Sequence, residues 1–136
     1  MGADSGMNSP CPRSLVLLED KFAVCRLTKD ASIPAWAMSG QFFSITHTAD
    51  ELSIVCREAA VPPGIACERD WRSLRIAGAI PFTEVGVLAA LTTSLAEAGI
   101  SIFAISTLDT DYLLVKELDL ERAVDALRRQ GHAVEC

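Results

Sequence analysis

Basic residues are scarce in this chain: 12 Lys and Arg stand against 18 Asp and Glu, for a net charge of −6. No basic run exceeds the pair Arg128-Arg129. A footprint for a phosphate backbone is therefore missing, and nucleic acid is not an expected partner. No apolar stretch approaches the roughly 18 residues of a membrane span, and the N-terminus lacks a basic segment followed by an apolar one. Gly2 and Ser5 come near a myristoylation signal, but Gly6 stands where that signal needs Ser or Thr. The expectation is a cytoplasmic protein that neither crosses nor anchors to a membrane. Metal-binding patterns are missing too. Cys11, Cys25, Cys56, Cys67 and Cys136 form no CxxC pair, and His47 and His132 are the only imidazoles. No metal and no cofactor is expected. Ser106 and Thr107 have no His or Lys close in sequence to activate them, so no catalytic residue is assigned.

What the chain does have is the composition of a folded domain: 136 residues, 50% apolar and 22% charged. Residues 1–13 read as a flexible tail. Residues 15–18 and 22–27 are β-type runs, and Glu19-Asp20 between them suggests a hairpin turn. Residues 34–39 suggest one or two helical turns that hold Trp36 against a core, with Gly40 as the stop. Residues 42–46 and 52–56 read as two more strands, and Val61-Pro62-Pro63-Gly64 breaks the pattern.

The second half is more regular. Residues 71–80 read as a strand, and a helix follows over 84–98, with Thr83 as N-cap and Gly86 in its first turn. Val85, Leu88, Ala89, Leu91, Thr92 and Leu95 share its expected inner face. Strands follow over 101–106 and 112–116. Asp119 is expected to cap a second helix that buries Leu120, Ala123, Val124 and Leu127 and ends at Gly131, before a closing strand over 132–134. This order, β-α-β-β-α-β, predicts an α+β, ferredoxin-like unit, with strands 71–80 and 101–106 placed as inner strands. Residues 14–69 repeat the rhythm with a rudimentary first helix and no clear second one. The chain is thus expected to contain two tandem units, 14–69 and 70–136, the first degenerate.

Three segments carry a resemblance. Phe82-Thr83-Glu84-Val85-Gly86 at a helix start, Gly99-Ile100-Ser101 at a strand start, and Ile105-Ser106-Thr107-Leu108-Asp109-Thr110-Asp111-Tyr112-Leu113-Leu114-Val115 across a hairpin resemble the ACT domain. More narrowly, they are similar to the branch that holds small bacterial tandem ACT proteins and the cytosolic arginine sensors. The resemblance implies a regulatory module whose small ligand, usually an amino acid, sits at an interface between ACT units. It places Glu84 and Asp111 at acidic ligand-site positions of the arginine sensors and Thr107 beside them. Leu108 replaces an aromatic residue there, and Pro81 replaces a glycine whose N–H contacts ligand. Proline has no N–H to donate, so arginine specificity does not carry across.

Elementary chemistry makes such a site reasonable on its own. A helix N-terminus leaves N–H groups for a ligand carboxylate, and the 107–111 turn offers carbonyls with Asp109 and Asp111 for an ammonium group. The expected ligand-binding set is Pro81, Phe82, Glu84, Gly86, Ser101, Ile102, Thr107, Leu108 and Asp111. Exposed sheet edges imply a homodimer. Two other readings stay open: a protein-protein interaction module without a ligand, and a small thiol-dependent enzyme, for which Cys67 near Arg69 is the thiol to test.

Overall fold

Strand β1 (Ser14–Leu27) runs for 14 residues without the hairpin expected at Glu19-Asp20. Tight two-residue hairpin turns need positive φ, which Asn and Gly supply and a Glu-Asp pair does not. The chain stays extended instead, with Glu19 and Asp20 exposed. Its first residues pair in parallel with β7 (Ala133–Glu135), and Phe22–Leu27 pair antiparallel with β3 (Leu52–Arg57). The computed structural model describes residues 13–77 and 86–136. They form two compact units, one of residues 19–73 and one of residues up to Leu18 together with Leu74–Cys136. These bounds differ from the expected 14–69 and 70–136, because Leu15 is fully buried in the core of the C-terminal half.

In the unit of residues 19–73 the strand order is β2-β3-β1-β4, with β2 spanning Ser44–His47 and β4 spanning Cys67–Ile76. Strand β4 starts four residues before the expected Trp71. A 3₁₀ turn at Ala35–Met38 stands where the first helix of a full unit would be, and another at Glu58–Ala60 stands where the second would be. The order is therefore β-turn-β-β-turn-β, the degenerate copy expected from sequence. Its core is small: Ala23, Cys25, Leu52, Ile54 and Cys56 from the strands, closed by Ala37 and Val61, with Trp36 packed against it. Alternation puts Phe22 on the other face, where its ring meets Phe42 edge-on with centroids 5.5 Å apart.

The second unit carries true helices, α1 (Val87–Glu97) and α2 (Leu120–Arg129). Leu91 and Leu95 are fully buried as expected, but Val87 and Ser94 are buried where Ala89 is exposed, so the inner face is rotated from the expected one. Ser94 can sit inward because its hydroxyl donates to the Ala90 carbonyl at 3.1 Å. Thr83, the expected cap, lies outside the described residues. The residue at the N-cap is Gly86, with φ 85°. At the start of α2, Asp119 has helical dihedrals (φ −97°, ψ −3°) and makes no capping bond, since an N-cap side chain reaches back from extended backbone. Its carboxylate binds Arg122 at 2.7 Å instead.

Strand β6 (Asp111–Lys116) lies between β4 and β5 (Ile102–Ser106), which makes β5 the edge and corrects its expected inner position. The residues explain it. Leu113, Leu114 and Val115 are buried on both faces of β6, as an inner strand requires, whereas Ala104 and Ser106 on β5 are exposed. Leu74, Ile76, Leu91, Leu95, Leu113 and Leu127 fill the core. Among the described residues no helix is long and apolar enough to cross a membrane.

Two expected outcomes follow from this packing. Gly40 has φ 84°, and a Cβ there would fall 2.8 Å from Cδ of Arg57. Gly40→Ala is expected to lose about 1–2 kcal/mol from the left-handed conformation alone, read as a lower urea midpoint. His132 is buried, and its Nδ1 accepts the Arg13 N–H at 2.9 Å. Burial lowers its pKa below the usual 6.5. The folded state therefore prefers the neutral ring, and that stability, complete above the unfolded pKa, is lost as pH falls through the lower folded value. Between about pH 7.5 and about pH 5 the parent chain should lose more stability than His132→Asn, which keeps an acceptor but cannot titrate. Parallel losses would contradict this.

Candidate functional site

The hairpin between β5 and β6 is built by one hydroxyl. Thr107 N–H donates to the Thr110 carbonyl at 2.8 Å, and its Oγ1 donates to the same carbonyl at 3.2 Å. That Oγ1 also accepts the N–H groups of Asp109 at 3.3 Å and Thr110 at 3.2 Å. A short polar side chain thus satisfies the turn from within, the usual advantage of Ser and Thr at such places. Thr110 then ties the turn outward: its hydroxyl donates to the Ile76 carbonyl at 2.9 Å, at the end of β4. Below the turn Ser106 and Asp111 are register partners, and the Ser106 hydroxyl donates to the Asp111 carboxylate.

Of the nine residues expected to bind ligand, Pro81, Phe82 and Glu84 lie outside the described residues. Thr107, Leu108 and Asp111 come together on the hairpin. Leu108 is 74% exposed at its tip, an apolar side chain with no core role. Gly86 precedes α1 rather than lying in its first turn, and its carbonyl accepts the Ala90 N–H at 2.9 Å. Its left-handed φ is a sufficient reason for glycine there, whatever else approaches it. Ile102 opens β5 and Ser101 precedes it, about 16 and about 20 Å from Thr107 by strand rise. Within one unit they and the hairpin turn do not form one cluster.

A second copy of the turn joins β2 and β3, a likeness to the first that sequence reading did not draw. Thr48 N–H donates to the Glu51 carbonyl at 2.9 Å, and Thr48 Oγ1 accepts the N–H groups of Asp50 and Glu51 at 3.1 Å each. Thr-x-Asp at 48–50 and at 107–109 was the available signal. In each unit the following strand ends on a cation, Arg57 or Lys116, and a 3₁₀ turn starts on a glutamate, Glu58 or Glu117. The chemistry below the two turns differs. Where the second unit pairs Ser106 with Asp111, the first pairs His47 with Leu52, and the His47 Nε2 lies 3.0 Å from the Lys29 carbonyl. Only the second hairpin presents a carboxylate at its neck.

Two of the thiols, Cys25 and Cys56, are buried and poor nucleophiles. Burial, with Cys56 and Cys67 beside it, pushes the Cys25 thiol up to about 12, and burial raises that of Cys56 as well. Among the described residues no group of three or more His, Cys, Asp or Glu could hold a metal ion.

A family model described as the ACT domain matches residues 66–129, and a second, describing an N-terminal domain, matches residues 20–64. Among solved structures, protein Atu0741 from Agobacterium tumefaciens is 38% identical, with 92% of this chain and 93% of that one covered and a TM-score of 0.87. The regulatory subunit of aspartate kinase from Thermus thermophilus is 12% identical over 85% of this chain and 97% of its own, with a TM-score of 0.60. Aspartate kinase from Clostridium acetobutylicum, an allosteric enzyme, is 15% identical over 85% of this chain and 34% of its own, also at 0.60. These two likenesses concern the fold. No curated protein matches the chain significantly.

Thr107→Ala removes the hydroxyl bonds of one turn and leaves the other intact. The expected loss is about 1 kcal/mol, with faster hydrogen exchange at the Asp109 and Thr110 amides and none at Asp50 and Glu51. Unchanged exchange at all four would show that the hydroxyl does not hold the turn.

Proposed function

We propose, starting from the fact that this chain belongs to one family with the Agobacterium tumefaciens protein and carries an ACT domain over residues 66–129, that it is a non-catalytic regulatory protein that binds an amino acid. The ACT domain is a small-molecule-binding regulatory module, and that coarser role rests on the family match. An amino acid as the ligand, bound at the hairpin, extends that role.

The observation that carries it is the Thr110 to Ile76 hydrogen bond. It holds the hairpin turn against the end of the strand from which the segment with Pro81, Phe82 and Glu84 departs. Gly86 then opens α1, whose first-turn N–H groups suit a carboxylate. On the hairpin side, the Asp111 carboxylate and the turn carbonyls suit an ammonium group. An α-amino acid carries both of these charges. Leu108 gives the turn an apolar tip for a second copy of the chain, and Ser101 and Ile102, remote within one unit, would then come from that copy. The protein is accordingly proposed as a cytoplasmic homodimer with ligand between ACT units of different copies. The narrower kinship with arginine sensors rests on Glu84, Thr107 and Asp111 alone. Leu108 and Pro81 depart from it, so arginine is not favoured over other amino acids.

A second reading, a protein-binding module without ligand, draws on Leu108 and Leu118, which are 74% and 85% exposed. Calorimetric titration of the whole chain against the proteinogenic amino acids and common nucleotides separates the two. An amino acid is expected to bind, and Asp111→Ala and Glu84→Ala are each expected to weaken it about tenfold or more, the usual cost of a charge-assisted hydrogen bond. Silence across the panel, or binding that both variants leave intact, would overturn the proposal.

A further inference from the structure

The unit of residues 19–73 contains a cleft of its own, of about 510 Å³, lined by Glu19, Asp20, Lys21, Arg57, Glu58 and Arg69 among others. That is within the range of roughly 300–1,000 Å³ common for small-molecule sites. Its most unusual member is Arg57, the last residue of β3, half-buried and paired in register with Phe22. The guanidinium is fixed in place: Nε and Nη2 both donate to the Ser39 hydroxyl, at 3.2 and 2.6 Å. Gly40 completes the seat, since a Cβ there would fall 3.0 Å from Arg57 Nε. A hydroxyl fixes the orientation of this cation without cancelling its charge. Among the described residues Arg57 makes no ion pair, and its Nη1 has no protein partner.

The opposite charge is on the same cleft. Glu19 and Asp20 project from the middle of β1, and Glu58 opens the 3₁₀ turn after β3, its Oε1 accepting the Asp70 N–H at 2.7 Å. Asp70 has φ 65°, the one positive φ outside glycine among the described residues, and its carboxylate takes the Lys21 ammonium at 3.4 Å. Lys21 is thereby matched by a residue outside the cleft lining. What the cleft offers a visitor is an oriented guanidinium and, on the same face of β1 by strand alternation from its register partner Phe22, Asp20, with Glu19 and Glu58 also in the lining.

We propose that this cleft is a second small-molecule site, apart from the hairpin of the ACT domain, for a compound that carries both a carboxylate and an ammonium group. The balance of charges selects that class. A simple anion that reached Arg57 would also face three carboxylates, and a simple cation would face Lys21, Arg57 and Arg69. A zwitterion places its carboxylate on the Nη edge of Arg57, where planar two-point recognition is available, and its ammonium on Asp20. The proposal does not depend on the ligand suggested for the hairpin.

The test uses the whole isotope-labelled chain, titrated with the proteinogenic amino acids while the Arg57 Nε–H resonance is followed. At least one amino acid is expected to move it saturably, and analogues of that compound lacking the amino or the carboxylate group should bind at least about tenfold more weakly. Arg57→Gln should abolish the effect. Ser39→Ala, which keeps the guanidinium but frees it, should weaken binding several-fold, and it stands in if Arg57→Gln does not fold. Asp111→Ala should leave the Arg57 response unchanged. An unmoved Arg57 resonance, an anion-only analogue that binds equally well, or loss of the response in Asp111→Ala would overturn this site. Shifts confined to residues 107–111 would overturn it while supporting the hairpin, and shifts confined to Arg57 would do the reverse.

Discussion

Everything in this fold depends on β1 staying extended through Glu19 and Asp20. Leu15 belongs to the core that α1 and α2 cover, while Ala23 and Cys25 belong to the core of residues 19–73. A chain reversal at Glu19-Asp20 would withdraw a strand from one core or the other. A two-residue reversal would need positive φ at both positions, which Glu19 disfavours, so extension is the low-cost state, and pairing with β7 at one end and β3 at the other fixes it. Units of this size bury only about 60% of their unfolded surface. Neither core has strands to spare.

The two units apply one plan with unequal means. Each opens on a strand, closes a hairpin with a threonine turn, and starts a 3₁₀ turn on a glutamate. In the first, 3₁₀ turns take the places of both helices, and small residues such as Ala23, Cys25 and Ala37 fill its core. In the second, leucines from α1 and α2 meet Leu74, Leu113 and Val115 of the sheet. The chemistry follows the same division. The first hairpin has the apolar Leu52 at its neck, and its charged groups gather instead at the cleft around Arg57. The second has Asp111, hydrogen-bonded to Ser106 and held beside the end of β4 by Thr110.

The α+β class, the β-α-β-β-α-β order of the second half and the degenerate first half were legible because apolar periodicity and glycine stops report local structure directly. Leu91, Leu95, Ala123 and Leu127 were placed inward correctly on that ground. What failed were inferences that needed partners. The hairpin at Glu19-Asp20 looked reasonable from turn composition, yet pairing on both sides decided against it. The edge position of β5 depended on the burial of Leu113, Leu114 and Val115 on both faces of its neighbour, which sequence spacing does not reveal. Asp119 had the right chemistry for a cap, but its helical backbone gave the carboxylate to Arg122. Of the expected site, the hairpin residues Thr107, Leu108 and Asp111 form a group. Ser101 and Ile102 lie a strand length away, a separation that is legible only once β5 has ends.

Asp111 and the Thr107 turn are therefore central: a self-satisfied turn, stitched to β4, whose carboxylate is the one proposed to meet a ligand ammonium. Hydrogen exchange of the whole chain, with and without a saturating mixture of amino acids, tests this most directly. The account predicts added protection at residues 107–111 together with the first turn of α1. Unchanged exchange at both, with the mixture present in excess, would contradict it.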